Sequence, residues 1–86
     1  MNKLEGLVVK SRAGRDNGRL YLVMKTEGEY IYVADGDTRK TDNPKKKKLK
    51  HIQKTNHFAE QIKDRLLSGD SVENFEVRKA LAEYLN

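Results

Sequence analysis

The sequence predicts a mainly β protein: a small closed or half-closed barrel of about five short strands, followed by two C-terminal helices. Over residues 1–55, short apolar runs alternate with turns rich in glycine or aspartate, a pattern typical of small barrels. From residue 56 the apolar residues recur at helical spacing instead. We therefore divide the chain into a barrel over residues 1–55 and a two-helix extension over residues 56–86 that packs on it.

The first two strands flank a glycine-rich loop. Apolar runs place one strand at about residues 6–12 and the next at about 19–25. Between them Gly14 and Gly18 bracket Asp16, in a loop whose residues tolerate turn and left-handed backbone geometry. Asp16 is expected to cap turn N–H groups or to pair with a nearby arginine, which fixes the shape of the loop. The loop carries three cations: Arg12, Arg15 and Arg19.

The clearest strand covers residues 30–34, where Ile31 and Val33 alternate with tyrosines. A turn containing Gly28 precedes it. The Asp-Gly-Asp sequence at 35–37 is interpreted as a second turn and not as a paired-carboxylate metal site. A short strand is then expected at residues 38–41.

A lysine run follows Pro44, which belongs at a sheet edge or in a loop because it lacks the N–H of a strand ladder. The run occupies residues 45–48 and leads into a predicted last strand at 49–52. Closing the sheet into a barrel would remove the exposed edges of so short a sheet.

Two helices are expected after the barrel. The first begins at Thr55 or Asn56 as N-cap and ends at Gly69. Its apolar face is formed by Phe58, Ile62 and Leu66. The second begins within residues 70–74, with Asp70, Ser71 and Asn74 as alternative caps. Its apolar face is formed by Val77, Ala80, Leu81, Tyr84 and Leu85.

Several classes of protein are excluded by composition. The chain has no cysteine, so disulfides and thiolate zinc sites are absent. No apolar run approaches the roughly 18 residues of a membrane span, and the N-terminus lacks the apolar core of a secretory signal. His51 and His57 lack the partners that catalysis or metal binding needs, and no phosphate-binding loop or catalytic triad is found. We expect a cytoplasmic, monomeric protein that is not an enzyme and holds no metal or cofactor.

Charge is the strongest functional signal. The net charge is +5, but residues 1–56 hold 14 Lys and Arg against 7 Asp and Glu, whereas residues 57–86 hold 4 against 6. The first part is therefore suited to a polyanion. Solvated loop arginines and a mobile lysine surface are the plain alternatives. The candidate cations are Lys10, Arg12, Arg15, Arg19, Arg39, Lys40, Lys45, Lys46, Lys47, Lys48, Lys50 and Lys54.

The residues of the first two strands and their loop resemble the KOW motif. The matching positions are Gly6, Val8, Val9, Ala13, Gly14, Asp16, Gly18 and Val23. Residues 33–36, the basic segment and residues 49–52 together resemble the KOW-containing large-subunit ribosomal proteins of archaea and eukaryotes. The whole chain is most similar to short bacterial KOW-domain RNA-binding proteins. The resemblance covers residues 3–54, and the helices resemble only the bacterial group.

This resemblance implies an SH3-like barrel whose loop contacts RNA, with ribosomal RNA as the expected ligand and ribosomal proteins as possible neighbours. The loop arginines would make bidentate phosphate contacts. The segment 39–54 would add diffuse attraction that carries little sequence information. Tyr30 and Tyr32 are able to stack on unpaired bases, but in so small a domain we favour packing under the helices, as for Tyr21 and Phe58.

Two other functions stay open. SH3-like barrels also dock proteins of the transcription and translation machinery, and the acidic helical extension would then hold the contact surface. The acidic residues proposed for this surface are Glu60, Asp64, Glu73, Glu76 and Glu83. The second alternative is a DNA-binding architectural protein, because electrostatic attraction to phosphate does not distinguish DNA from RNA.

Overall fold

A computed structural model describes residues 3–86 of the chain, and it confirms the predicted fold class. The strands are β1 (Leu7–Ser11), β2 (Leu20–Glu27), β3 (Tyr30–Ala34), β4 (Lys45–Lys48) and β5 (Ile52–Phe58), and the helices are α1 (Glu60–Leu67) and α2 (Asn74–Leu85). The five strands are antiparallel and form one sheet in the order β4-β3-β2-β1-β5. A one-turn 3-10 helix at Leu49–His51 joins the two edge strands, β4 and β5.

The central strands are buried on both faces of the sheet. Val9, Val23 and Ile31 belong to a cluster on the concave, barrel side, with Ile52 and Phe58 packed against it. A second cluster lies between the other face and the helices and is formed by Val8, Leu22, Ile62, Val72, Val77, Ala80 and Leu81. Burial on both faces explains why β1 and β2 contain continuous apolar runs instead of alternating ones.

The lysine run is itself a strand, which corrects the prediction for the basic segment. We expected a strand at residues 49–52, but these residues form the 3-10 helix and the first position of β5. The short strand expected at residues 38–41 is also wrong, because this stretch is a bend and turn within the β3–β4 connection. Lys45–Lys48 pairs instead with Tyr30–Val33. A tract of like charges is stable as a strand here because one side of it meets a buried carboxylate, described below.

The predicted start of the first helix is also wrong. Thr55 and Asn56 lie in β5, where the Thr55 hydroxyl donates to the carbonyl oxygen of Val8 (2.6 Å), and α1 begins only after Ala59. Phe58, predicted on the apolar face of this helix, is instead the last residue of β5 and packs against the barrel core. Gly69 follows the end of α1 with φ +84°, as predicted.

The second helix has a cap that the sequence did not predict. Glu73, and none of the three candidates, is the N-cap, and it forms a reciprocal capping box with Glu76. Arg65 of α1 contacts the Glu76 carboxylate and so ties the two helices together. The apolar face of α2 packs on the sheet as predicted except for Leu85, which is exposed. Within residues 3–86, neither helix has the length and apolar character to cross a membrane.

Candidate functional site

The loop between β1 and β2 has a fixed backbone. Gly14 and Gly18 take left-handed conformations, with φ values of +76° and +90°, as the turn prediction required. The Gly18 N–H donates to the carbonyl oxygen of Ser11 (2.8 Å), and the Ser11 N–H donates to that of Arg19 (2.9 Å). These two hydrogen bonds extend the β1–β2 ladder into the loop, so the tip is short and held at both ends.

Asp16 is the centre of a partly buried polar cluster. Its Oδ1 accepts from the Ser11 hydroxyl (2.8 Å) and from Lys47 Nζ (3.2 Å). Its Oδ2 accepts from the Tyr21 hydroxyl (2.9 Å) and from Lys45 Nζ (3.0 Å). Asp16 thus fixes the loop as expected, but its side chain binds two lysines of β4 and neither a turn N–H nor an arginine.

The cluster changes the titration of two of its members. Burial alone would raise the pKa of Asp16, but the donors from Ser11, the two lysines and Tyr21 outweigh it and hold that pKa far below its ordinary value. Burial and the hydrogen bond to Asp16 raise the pKa of Tyr21 to about 12. Asp16 is therefore a permanent anion at neutral pH, and Tyr21 a permanent donor to it.

The same loop reaches the other edge strand. The Arg12 N–H donates to the carbonyl oxygen of His51 (2.8 Å), and the Arg12 guanidinium contacts the side-chain oxygen of Gln53. Through Asp16 the loop holds β4, and through Arg12 it holds the start of β5. The loop therefore spans the seam between the two edge strands and brings the predicted arginine loop and basic segment into direct contact.

Alternation along β4 divides the lysine run into two pairs. Lys45 and Lys47 pair across the ladder with Val33 and Ile31, whose side chains are in the barrel core, and residues opposite each other share a face. The Lys47 side chain is only 8% exposed, and its ammonium also donates to the Ser11 hydroxyl oxygen (2.9 Å). Lys46 and Lys48 face outward and are exposed. One half of the run supports the fold, and the other half is open to a ligand.

The β3–β4 connection positions a further cation. Asp35 is buried and accepts from the N–H groups of Asp37 (2.9 Å) and Arg39 (2.8 Å), which confirms its role in a turn. Its Oδ2 also meets the Arg19 guanidinium at 3.2 Å. Burial opposes ionisation of Asp35, but these donors and the Thr38 hydroxyl lower its pKa. Arg19 is thus anchored at the base of the loop and partly neutralised.

Most of the candidate cations keep their charge unbalanced. Of the twelve, Arg19, Lys45 and Lys47 form ion pairs. The other nine make no ion pair with any residue from 3 to 86: Lys10, Arg12, Arg15, Arg39, Lys40, Lys46, Lys48, Lys50 and Lys54. They come from the loop, the β3–β4 connection, β4, the 3-10 helix, β1 and β5. Six of the nine lie on the segments that meet at the seam: Arg12, Arg15, Lys46, Lys48, Lys50 and Lys54.

Tyr30 and Tyr32 do not pack under the helices, contrary to expectation. Neither belongs to the apolar cluster between the sheet and the helices or to the barrel core. Their neighbours are cations: Lys46 Nζ lies 4.3 Å from the Tyr30 ring centroid, and Lys25 Nζ lies 5.7 Å from that of Tyr32. Tyr21 is buried, as a structural role requires, but it lies in the barrel core and not under the helices.

The helices and the end of β5 enclose a separate groove of about 550 Å³. Phe75 contributes to it and is 60% exposed, while Phe58 and Ile62 form its apolar floor. Among its polar lining residues are Glu60, Glu76 and Glu83, which belong to the acidic set identified in the sequence. In the described part of the chain no three His, Cys, Asp or Glu side chains gather as metal ligands would.

Two parts of the site were missed by sequence reasoning: Ser11 and the Tyr21 hydroxyl, which complete the Asp16 cluster. Tyr30 was considered as a stacking residue, but its position outside both apolar clusters was not predicted. For Tyr21 a signal existed, because a tyrosine within an apolar run needs a partner for its hydroxyl when buried. Ser11 carries no such signal.

A comparison of the sequence with protein-family models and with curated proteins finds no match.

Proposed function

We propose that the protein binds RNA in the cytoplasm through the basic surface around the β4–β5 seam. The observation that carries the proposal is the set of nine cations that make no ion pair within residues 3–86, six of which lie on the β1–β2 loop, β4, the 3-10 helix or β5, the segments that meet at the seam. An array of unpaired cations attracts the regularly spaced charges of a nucleic-acid backbone. The resemblance of residues 3–54 to the KOW motif favours RNA over DNA, and structured ribosomal RNA in particular.

The two halves of the surface have different tasks in this mechanism. The loop presents Arg12 and Arg15 from a backbone that is already ordered, so phosphate contacts there lose little conformational entropy on binding. The guanidinium fork donates two hydrogen bonds to one phosphate, which sets orientation. Lys46, Lys48 and Lys50 are exposed side chains on or beside an edge strand, and they supply charge with little geometric demand.

The alternation of β4 provides a matched test of this mechanism. Lys46→Gln/Lys48→Gln and Lys45→Gln/Lys47→Gln remove the same charge from the same strand. We expect the first variant to weaken RNA binding and to reduce the slope of log K against log salt by about 1.4 to 1.8, since each phosphate contact contributes about 0.7 to 0.9. Its melting temperature should fall only slightly, because neither side chain is in an ion pair and the exposed contact of Lys46 with the Tyr30 ring is worth about 0.5–1 kcal/mol.

The second variant serves as the control. It leaves Asp16 buried without its two ion-pair partners, so its melting temperature should fall while the salt slope of the folded protein changes less. Binding is measured by fluorescence anisotropy with a ribosomal RNA fragment over a salt series, at a temperature where both variants are folded. Wild-type salt dependence in the Lys46→Gln/Lys48→Gln variant, or salt-independent binding by the wild type, would refute the proposed surface.

A protein-interaction module is the second candidate, and the groove between β5 and the helices favours it. An exposed Phe75 beside Phe58 and Ile62 suits a partner with an apolar side chain. The charged part of the lining is mixed, since Arg65 and Lys79 lie beside the carboxylates and Arg65 pairs with Glu76. Pull-down after complete nuclease treatment separates the two functions. A partner that remains bound, and that is lost with Phe75→Ser, would assign the groove to a protein.

A further inference from the structure

The outer face of β3 and β4 carries two tyrosines between three lysines. Tyr30 is directly opposite Lys48, and Tyr32 is directly opposite Lys46. On the other side of β3, Lys25 is the partner of Tyr32 and Glu27 is the partner of Tyr30. Because opposite residues share a face of the sheet, these six side chains form one surface, which we call the tyrosine platform. The lysine run and the tyrosine strand thus meet in register.

The platform is not part of either apolar core. The rings of Tyr30 and Tyr32 are half-buried and lie outside both clusters, so their faces are not committed to packing. The contacts of the rings are with the ammonium groups of Lys46 and Lys25, and the Tyr32 hydroxyl donates to Glu27 (3.3 Å). Both lysines are exposed, and Lys25 already lies 3.5 Å from the Glu27 carboxylate. A flat ligand can therefore replace an ammonium on a ring face while the lysine pairs with a neighbouring anion or phosphate.

A cavity adjoins the platform at the first residue of β3, Tyr30. Its volume is about 310 Å³, and it is lined by Glu29, Tyr30, Lys48, Leu49 and Lys50. The volume lies at the lower end of the range for small-molecule sites, enough for one planar base. An aromatic ring, one apolar side chain and two lysines suit a group that is flat on one side and anionic on the other. A nucleotide has this form. Glu29 is the one acidic residue of the lining, so phosphate belongs on the lysine side.

We infer that Tyr30 is a stacking site for an unpaired base of single-stranded RNA, with the flanking phosphates held by Lys46, Lys48 and Lys50. The inference rests on the proposed function and specifies the form of its ligand. Bases in a duplex are already stacked inside the helix, so their faces cannot reach a ring on a sheet surface. The platform therefore distinguishes single-stranded segments, such as loops, from paired ones, whereas the arginine loop contacts phosphate in both.

The test compares Tyr30→Leu with the matched variant Tyr30→Phe. The probes are an oligoadenylate of about ten nucleotides, within the usual site sizes for single-strand binders, and a blunt RNA duplex of the same length. Tyr30→Leu should weaken oligoadenylate binding about 5- to 150-fold, the equivalent of the stacking of one base. It should leave the duplex affinity and the salt slope unchanged, because no charge is removed. Tyr30→Phe should bind both probes as the wild type does, since it keeps the ring.

A second measurement uses the unaltered protein and holds even if Tyr30→Leu fails to fold. Addition of oligoadenylate should shift the Tyr30 ring proton resonances upfield, through the ring current of a stacked base, while the duplex should leave them in place. The inference would be overturned if oligoadenylate caused no upfield shift, or if Tyr30→Leu lost affinity equally for the oligoadenylate and the duplex.

The outcomes also separate this inference from the proposed function. If Lys46→Gln/Lys48→Gln lowers the salt slope while Tyr30→Leu binds oligoadenylate like the wild type, the stacking site is wrong and RNA binding stands. If the wild type binds neither probe nor the ribosomal fragment, both are wrong.

Discussion

Replacing Asp16 with asparagine tests whether the loop between β1 and β2 is held by charge. The substitution keeps the size of the side chain but removes the anion that faces Lys45 at 3.0 Å and Lys47 at 3.2 Å. Asp16 is 10% exposed and Lys47 is 8% exposed, so their ion pair lies largely out of water. The asparagine amide still accepts one or two hydrogen bonds, but the Lys47 charge loses its counter-ion.

The magnitude follows from the burial of Lys47. Removing one partner of a buried ion pair costs about 3–5 kcal/mol, because the remaining charge is left uncompensated. The lower end, about 3 kcal/mol, applies here, since Lys45 is 39% exposed and can turn to solvent. A chain of this size loses roughly 4–8 °C of melting temperature per kcal/mol. We therefore expect Asp16→Asn to melt about 12–24 °C below the wild type.

The assay is thermal unfolding at neutral pH for Asp16→Asn, Lys47→Met and the double variant. If the pair is the cause, the double variant should recover part of the loss, with a coupling free energy of about 1–3 kcal/mol. A loss below about 1 kcal/mol in Asp16→Asn, or additive effects in the cycle, would refute the reasoning and assign the loop's stability to its backbone hydrogen bonds.

Lowering the pH tests the same ion pairs, because protonation of Asp16 removes its contribution to the free energy of unfolding. The native pKa of Asp16 is held below its ordinary value of 3.8 because, although burial opposes ionisation, the hydrogen bonds from Ser11, the lysines and Tyr21 outweigh it. Its stabilisation is therefore complete above the ordinary value and is lost as the pH falls toward the native pKa. The difference in unfolding free energy between the wild type and Asp16→Asn should narrow as the pH drops below about 4.

Two further predictions concern a buried hydroxyl and a close backbone contact. The native pKa of Tyr21 is raised from 10.0 to about 12, so the free energy of unfolding of the wild type should fall by roughly 3 kcal/mol relative to that of Tyr21→Phe as the pH rises through this range. Equal loss of stability in the two proteins at alkaline pH would contradict this prediction. Gly36→Ala should destabilise much more than Gly28→Ala: both glycines have positive φ, but only at position 36 would a Cβ meet backbone, at the Asn74 carbonyl oxygen. Equal melting temperatures for the two variants would show that the helix shifts without loss.

The sequence predicted the fold class because the strands of the first half carry local signals. Turns at Gly28 and Gly36, both with positive φ, separate apolar runs, and Gly69 marks the end of α1. The alternation predicted along Tyr30–Ala34 is correct for Ile31 and Val33, since the side chains of both lie in the barrel core. Local pattern and tertiary structure agree in these places, which is why prediction from residue types was sufficient.

The boundary near residue 55 failed because two patterns overlap there. Phe58, Ile62 and Leu66 are spaced by four, but Phe58 occupies the last position of a strand and the other two lie in α1. The coincidence arises because the strand end and the helix both place apolar side chains toward packed interiors. Only the pairing of β5 with β1, for example Ser11 with Ile52, decides the assignment, and that partner lies some forty residues away in sequence.

The sequence identified the cations of the candidate site but did not predict that the four lysines of β4 have two different roles. Four identical lysines carry no alternation, so sequence alone assigns one role to all of them. The partner that separates them is Asp16, in a loop that is remote in sequence and adjacent in space. The same lack of a local signal explains Tyr30, because whether an alternating tyrosine is covered depends on where the helices sit.

The division of the lysine run also explains how a fold of this size can keep so many cations together. Lys45 and Lys47 would repel the arginine loop if Asp16 did not stand between them, and with it they attach the loop to β4. The charge that remains unbalanced is carried by side chains such as Lys46 and Lys48, which make no contribution to this attachment. An anion can therefore bind at the exposed lysines without competing for the ion pairs that hold the seam, so ligand binding and loop stability are expected to be separable by mutation within a single strand.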